Sequence, residues 1–110
     1  MPAPRARAGT AYDRAMERRA LGGSDLEVSR VGLGCNNFGR KLDLDASRAV
    51  IDAAIDVGVT FLDTADVYGT SFGDSERFIG ETLAGRDVDA AIATKFGHPT
   101  GRAAGEQPSG

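Results

Sequence analysis

Short apolar segments alternate with segments of helical periodicity between residues 30 and 96, and this alternation narrows the range of folds more than any other feature. The apolar segments are RVGLGC (30–35), VTFLDT (59–64) and VDAAIATKF (88–96); the first two are predicted to be buried strands, and the last is predicted to be a third strand. A stretch with helical spacing of apolar residues separates each strand from the next. Strands that alternate with helices in this way usually build a parallel sheet, so the sequence predicts an α/β fold.

The first predicted helix begins near residue 43 and runs to about Val57. Either Asp43 or Asp45 can cap it, and acidic residues at a helix start suit the helix dipole. Gly58 stands where a glycine ends many helices. Six apolar residues recur at helical spacing and form the predicted core face: Ala46, Ala49, Val50, Ala53, Ala54 and Val57.

The second predicted helix is the segment SERFIGETLAG. Either Asp74 or Ser75 can cap its start, and Gly85 stands at its end. Its apolar side carries Phe78, Ile79 and Leu83.

A short β-hairpin is predicted ahead of the first strand, within residues 16–30. Its arms are expected at 19–21 and 26–28. Two glycines, a serine and an aspartate at 22–25 form the turn between them.

Composition argues against several classes of partner. Sixteen acidic residues against thirteen Lys and Arg give a net charge of −3, whereas phosphate binding favours a basic face, so nucleic acid is not expected as a partner. Cys35 is the only cysteine, so neither an internal disulfide nor a metal cluster is expected. No apolar run approaches the ~20 residues of a membrane span, and no apolar region of a signal peptide follows the first arginines. We therefore expect a cytoplasmic protein.

Four motifs, in order and at appropriate spacing, resemble the aldo-keto reductase family. RVGLGCNNFG resembles the first strand and loop of that family, and GVTFLDTADVYG resembles its most specific motif, at the second strand. GDSERFIGETL resembles the following helix, and IATKFG resembles the third strand with its lysine. The resemblance covers residues 18–97.

The resemblance implies an eight-stranded (β/α)8 TIM barrel with a hairpin that closes the barrel floor. Such barrels usually run to ~250 residues or more, so the chain is expected to be an N-terminal fragment. A disordered extension is expected at 1–15, a partial barrel with three strands and two helices at 16–97, and a truncated loop at 98–110. A fragment of this kind is expected to have no activity of its own.

A proton-transfer site is expected at the carboxyl ends of the strands, where barrels carry their active sites. Asp63 ends the second strand and Lys95 the third, and neighbouring strands lie ~4.8 Å apart, so their side chains pair if both face inward. An ammonium group close to a phenol stabilises the phenolate. The resemblance implies that Tyr68 is the acid/base, that Lys95 tunes it and that Asp63 is the partner of the lysine. It also implies carbonyl reduction by hydride from NADPH, with NADH as the alternative.

The remaining site expectations concern the loop after the first strand. By resemblance, Cys35 and Asn36 align with positions that touch the cofactor near the nicotinamide, and Asp63 joins them as a cofactor-binding residue. Cys35 is otherwise a small buried residue or a reactive thiol. Asn37 and Phe38 either border the substrate or pack the loop.

Two further polar residues near the site receive no catalytic role. Asp66 is expected to hydrogen-bond to its own loop backbone. The resemblance implies a fourth catalytic residue, a histidine at the end of strand four. His98 follows the third strand, so it is not assigned that role.

Two functions of different classes remain open at this point. The first is an NADP-dependent reductase that acts on a small aldehyde or ketone. The second is a non-catalytic cofactor-binding subunit, because relatives that associate with ion channels share the barrel and much of the GVTFLDTADVYG motif.

Overall fold

The computed structural model describes residues 15–98. The predicted extension at 1–15 lies outside the described residues except for Ala15, and the predicted tail at 98–110 lies outside them except for His98. Along the described part the elements are, in order, β1 (Arg18–Ala20), β2 (Glu27–Ser29), β3 (Gly32–Gly34), α1 (Leu44–Asp56), β4 (Phe61–Asp63), α2 (Asp74–Leu83) and β5 (Ala91–Ala93).

The predicted hairpin is present as β1 and β2, but each arm lies one residue farther from the turn than expected. The strands are antiparallel, and Arg18 pairs with Ser29. Leu21 and Leu26 belong to the turn, because the Leu21 N–H donates to the Leu26 carbonyl at 2.8 Å. The Ser24 hydroxyl also donates to the Leu21 carbonyl, at 2.6 Å. This side-chain bond fixes a wider turn than the glycine pair alone indicates.

The sheet that carries the α/β fold is parallel, with strand order β3-β4-β5. In its register Gly34, Asp63 and Ala93 lie side by side at the carboxyl ends. The strands are shorter than the predicted segments, although the Thr64 N–H still donates to the Ala93 carbonyl at 2.8 Å beyond the end of β4. The register therefore continues into the loops that follow the strands.

One apolar core lies between the sheet and the helices. Leu33 and Leu62 reach it from the sheet, and Cys35 and Phe38 reach it from the loop after β3. Ile92, on the third strand, lies outside this core and is 50% exposed. From the helices, the core receives Ile51, Phe78 and Ile79.

The first helix has the predicted cap but buries a different face. The Asp43 carboxylate accepts the Ala46 N–H at 2.9 Å, so Asp43 and not Asp45 is the cap. The fully buried residues of α1 are Ser47 and Ile51. A large isoleucine gains more from burial than an alanine, which decides how the helix is oriented. Three of the predicted core positions are exposed: Ala49, Ala53 and Val57.

The second helix begins without a side-chain cap, so the predicted caps at Asp74 and Ser75 are wrong. Gly73 precedes α2 with a φ of +85°, in the left-handed region that favours glycine. The Asp74 carboxylate instead accepts the Ser71 N–H at 2.9 Å. Gly85 follows the helix with a φ of +73°, as predicted. In the described part of the chain, neither helix is long and apolar enough to cross a membrane.

The burial of Cys35 predicts that it resists alkylation in the folded chain. Its side chain is fully buried, and burial raises the pKa of its thiol from 9.0 to about 11. The reactive thiolate is therefore both scarce and inaccessible. At mildly alkaline pH, iodoacetamide should modify the native chain at least roughly tenfold more slowly than the chain in urea, as measured by mass spectrometry.

The sequence has no other cysteine, so each modified molecule reports on Cys35 alone. Equal rates in buffer and in urea would show that the core around Cys35 does not form in the isolated chain.

Candidate active site

The parallel register brings three of the predicted site residues together at one edge of the sheet. Lys95 lies two residues beyond Ala93, on the same face as Asp63. Its Nζ donates to Asp63 Oδ1 at 2.6 Å and to the Thr64 carbonyl at 2.9 Å. The same Nζ lies 3.5 Å from the Tyr68 hydroxyl and 5.1 Å from the centre of its ring. Strand alternation therefore predicted the meeting of Asp63 and Lys95 correctly.

The contact with Asp63 keeps the side chain of Lys95 positively charged. The hydrogen bond to Asp63 is the largest cause that raises the pKa of Lys95, and the contact with Tyr68 adds to it. Lys95 therefore remains an ammonium group throughout the neutral range. The side chains of Lys95 and Asp63 are 46% and 56% exposed, so the ion pair adds little to the stability of the fold. Its effect is on the charge of Lys95.

The loop that carries Tyr68 is held by its main chain. The Tyr68 N–H donates to the Ala65 carbonyl at 3.2 Å, and the Tyr68 carbonyl accepts the Ser75 N–H at 3.0 Å. At the start of the loop, the Asp66 N–H donates to the Lys95 carbonyl at 3.1 Å. These bonds tie the tyrosine to the start of α2 and tie its loop to the lysine.

Two buried hydroxyl groups lie beneath the site, and sequence reasoning assigned neither of them a role. Thr64 Oγ1 lies 2.8 Å from Ser75 Oγ, and Ser75 Oγ donates to the Cys35 carbonyl at 2.8 Å. All three residues are fully buried. Thr64 is part of the motif FLDTADVYG, but a threonine letter does not reveal which partner its hydroxyl has.

The two predicted cofactor contacts after β3 differ in accessibility. Cys35 offers no exposed atom, because its side chain is in the core and its N–H and carbonyl bond to Asp63 and Ser75. It is the small buried residue of the two alternatives. Asn36 is exposed on the turn that follows. Phe38 is a core residue and therefore packs the loop, rather than bordering a substrate.

The side chain of Asp66 does not make the predicted bond to its own loop. The residue is only 8% exposed, and its Oδ1 has no hydrogen-bond partner among residues 15–98. The prediction of a local loop bond for this oxygen is therefore wrong. His98 is exposed beyond β5. Within the same range, no group of three or more His, Cys, Asp or Glu could hold a metal ion.

Comparison with known proteins gives consistent matches. Residues 30–110 match the model of the Aldo/keto reductase family. Among solved structures, a holo-form aldo-keto reductase from Bacillus halodurans has a TM-score of 0.68 and 38% identity, over 86% of this chain and 30% of that one. This likeness supports the TIM-barrel class, of which the described residues form one sector.

Curated relatives give the same picture. The uncharacterized oxidoreductase YqkF of Bacillus subtilis is 40% identical over 83 residues, which are 76% of this chain and 26% of that protein. A probable voltage-gated potassium channel subunit beta of Oryza sativa is 36% identical over 85 residues, which are 74% of this chain and 25% of that protein. The chain thus spans about a quarter of the length of these curated relatives.

The geometry predicts that Asp63→Asn lowers the pKa of Lys95 toward its ordinary value. The reason is that the charge-assisted bond to Asp63 is the largest cause of the upward shift. A pH titration of the lysine Cε signals by NMR measures this directly, with the signal of Lys41, the only other lysine, as an internal reference.

The matched control is Asp52→Asn, which removes an exposed carboxylate bonded to Arg86. The control should leave the titration of Lys95 unchanged. An equal response to both substitutions would contradict the specific pairing of Asp63 with Lys95.

Proposed function

Because the chain belongs to the aldo/keto reductase family, we propose that it supplies the proton-transfer side of an NADPH-dependent site that reduces aldehydes or ketones. The observation that carries this proposal is the position of the Lys95 ammonium group, bonded to Asp63 at 2.6 Å and 3.5 Å from the Tyr68 hydroxyl. We also propose that the chain forms the first sector of a complete barrel, and that the protein acts in the cytoplasm.

The carboxyl ends of the strands leave room for a flat ring, because the residues on either side of Asp63 are small. Gly34 and Ala93 flank Asp63 in the register, and a Cβ added to Gly34 would meet no atom within 4 Å. The exposed Asn36 lies on the turn immediately beyond β3. These residues therefore fit a nicotinamide that approaches the strand ends, with Asp63 and Asn36 as the proposed contacts. A bound nicotinamide supplies the hydride.

In this proposal Tyr68 donates the proton. Its hydroxyl transfers a proton to the oxygen of the substrate carbonyl as negative charge develops there. The ammonium group of Lys95 stabilises the phenolate that remains, because it lies next to the phenol oxygen. Asp63 keeps the lysine charged and directs its Nζ toward the tyrosine loop. In the oxidative direction the same groups act in reverse, with Tyr68 as the base.

A second candidate function is a non-catalytic cofactor-binding subunit. The similarity to the probable potassium channel subunit beta of Oryza sativa is the observation that favours it. A protein of this kind would bind NADPH and would associate with a membrane protein without rapid turnover. Steady-state turnover with a carbonyl substrate therefore separates the two candidates.

The proposed mechanism predicts the effect of Tyr68→Phe in the complete barrel that carries these residues. The substitution removes the proton donor and keeps the ring, so kcat for aldehyde reduction should fall by about 10²–10⁴-fold. NADPH oxidation followed by absorbance, with a panel of small aldehydes and ketones, gives kcat, and cofactor fluorescence gives the affinity for NADPH.

The control for this experiment is Asp52→Asn, whose carboxylate contacts Arg86 away from the site. It should retain wild-type kcat. Full activity of Tyr68→Phe would refute the role of the tyrosine, and absence of turnover in the wild-type barrel would favour the second candidate.

The purified 110-residue chain should show no carbonyl-dependent NADPH oxidation and should bind NADPH weakly. The described residues leave the proposed pocket open, with Asp63 and Lys95 each about half exposed to water. An open site in high-dielectric solvent weakens each of the proposed electrostatic interactions. Robust turnover by the purified chain, measured beside the complete barrel, would contradict this expectation.

A further inference from the structure

We propose that Ser75 is a positioning residue for the proton-transfer site, and that it acts together with Thr64 through a buried chain of hydroxyl groups. This inference rests on the proposed reduction of carbonyl compounds. It adds to that function a residue that does not touch the substrate.

The direction of the hydroxyl chain follows from proton count. Ser75 Oγ donates to the Cys35 carbonyl at 2.8 Å, and a serine hydroxyl has only one proton to donate. Thr64 Oγ1, which lies 2.8 Å from Ser75 Oγ, must therefore be the donor in that contact. The order is Thr64 hydroxyl to Ser75 hydroxyl to Cys35 carbonyl, and hydrogen bonds arranged in such a series strengthen one another.

Ser75 is connected to both proton-transfer residues. Through its hydroxyl it holds Thr64, whose carbonyl accepts Lys95 Nζ at 2.9 Å. Through its N–H it holds the carbonyl of Tyr68 at 3.0 Å. Ser75, at the start of α2, thus holds both the residue whose carbonyl binds the Lys95 ammonium group and the main chain of Tyr68.

The difference in burial explains why this connection is needed. The contact between Asp63 and Lys95 is about half exposed, and an exposed ion pair does not hold long side chains in one geometry. Thr64 and Ser75 are fully buried, and buried polar groups have strongly preferred arrangements because unpaired ones are costly. The fixed distance between ammonium and phenol therefore depends on the buried hydroxyl groups more than on the ion pair.

Loss of the Ser75 hydroxyl would disturb two buried polar groups. The Thr64 hydroxyl would lose its acceptor, and the Cys35 carbonyl would keep only the longer bond from the Phe38 N–H, at 3.4 Å. The ends of β4 and the tyrosine loop would then be free to shift. A displacement of reacting groups by about 1 Å costs on the order of 10²-fold in rate.

The first test uses the complete barrel with three substitutions. Ser75→Ala and Thr64→Val remove a hydroxyl, whereas Thr64→Ser keeps the hydroxyl and loses only a methyl group. We expect Ser75→Ala and Thr64→Val to lower kcat roughly tenfold to a hundredfold, with unchanged affinity for NADPH. Thr64→Ser should retain kcat near the wild-type value.

The solvent deuterium isotope effect separates positioning from a loss of folded protein. Slower proton transfer in Ser75→Ala and Thr64→Val should increase the isotope effect on kcat, whereas a smaller folded fraction would leave it unchanged. Wild-type kcat and isotope effect in Ser75→Ala would overturn the inference. An equal loss of kcat in Thr64→Val and Thr64→Ser, with an unchanged isotope effect, would also overturn it. If Ser75→Ala does not fold, the two Thr64 variants decide the matter.

The second test is independent of catalysis and uses the 110-residue chain. The NMR signal of Lys95 Cε should move in Ser75→Ala and Thr64→Val, and should keep its position in Thr64→Ser. A Lys95 signal that stays fixed in all three variants would overturn the positioning role. If the wild-type barrel reduces no carbonyl compound, the proposed function fails, and this NMR comparison still decides whether Ser75 positions Lys95.

Discussion

The parallel register of β3, β4 and β5 is the constraint on which the site depends. It sets Gly34, Asp63 and Ala93 side by side, and the two-residue period of a strand then sends Leu62 to the core and Asp63 to the opposite face. A slip of one residue would bury a carboxylate and expose a leucine, so burial of the core and formation of the site are selected together. Lys95 reaches Asp63 because it lies an even number of residues beyond the aligned position.

Two kinds of polar interaction have different roles at this edge of the sheet: an exposed ion pair sets the charge, and buried hydroxyl groups hold the geometry. The exposed charges of Asp63 and Lys95 keep an ammonium group beside the phenol, and water screens them so that they add little to folding. Beneath them, the hydroxyl groups of Thr64 and Ser75 are neutral and fully buried. A neutral buried hydrogen bond avoids the desolvation penalty of a buried ion pair. The hydroxyl groups can therefore hold the strand end and the loop in place in the core, where a charged group would be destabilising.

Sequence reasoning succeeded where the answer depends on period or local chemistry. The order of strands and helices, an aspartate cap at position 43 or 45 and the meeting of Asp63 with Lys95 all follow from spacing along the chain. It failed where the outcome depends on a contact with a residue far away in the sequence. The face that α1 buries depends on the fit of Ile51 into the core, and the bonds of Ser75 join residues up to 40 positions apart. A single sequence carries no record of such partners.

The distribution of exposed apolar side chains connects this sector to the proposed barrel. Val31, Ile92 and Phe96 are each at least half exposed, although β3 and β5 flank the best-buried strand residue, Leu62. Parallel sheets are normally covered on both faces, and apolar strands at open edges normally pair with further strands. The relatives, of which the matched residues cover only about a quarter, have further chain with which to provide that cover. Closing the sheet would remove water from the face that carries Asp63 and Lys95. Their charges, which contribute little to the stability of the exposed site, would then act in a medium of lower dielectric constant. In such a medium electrostatic stabilisation of a transition state is stronger.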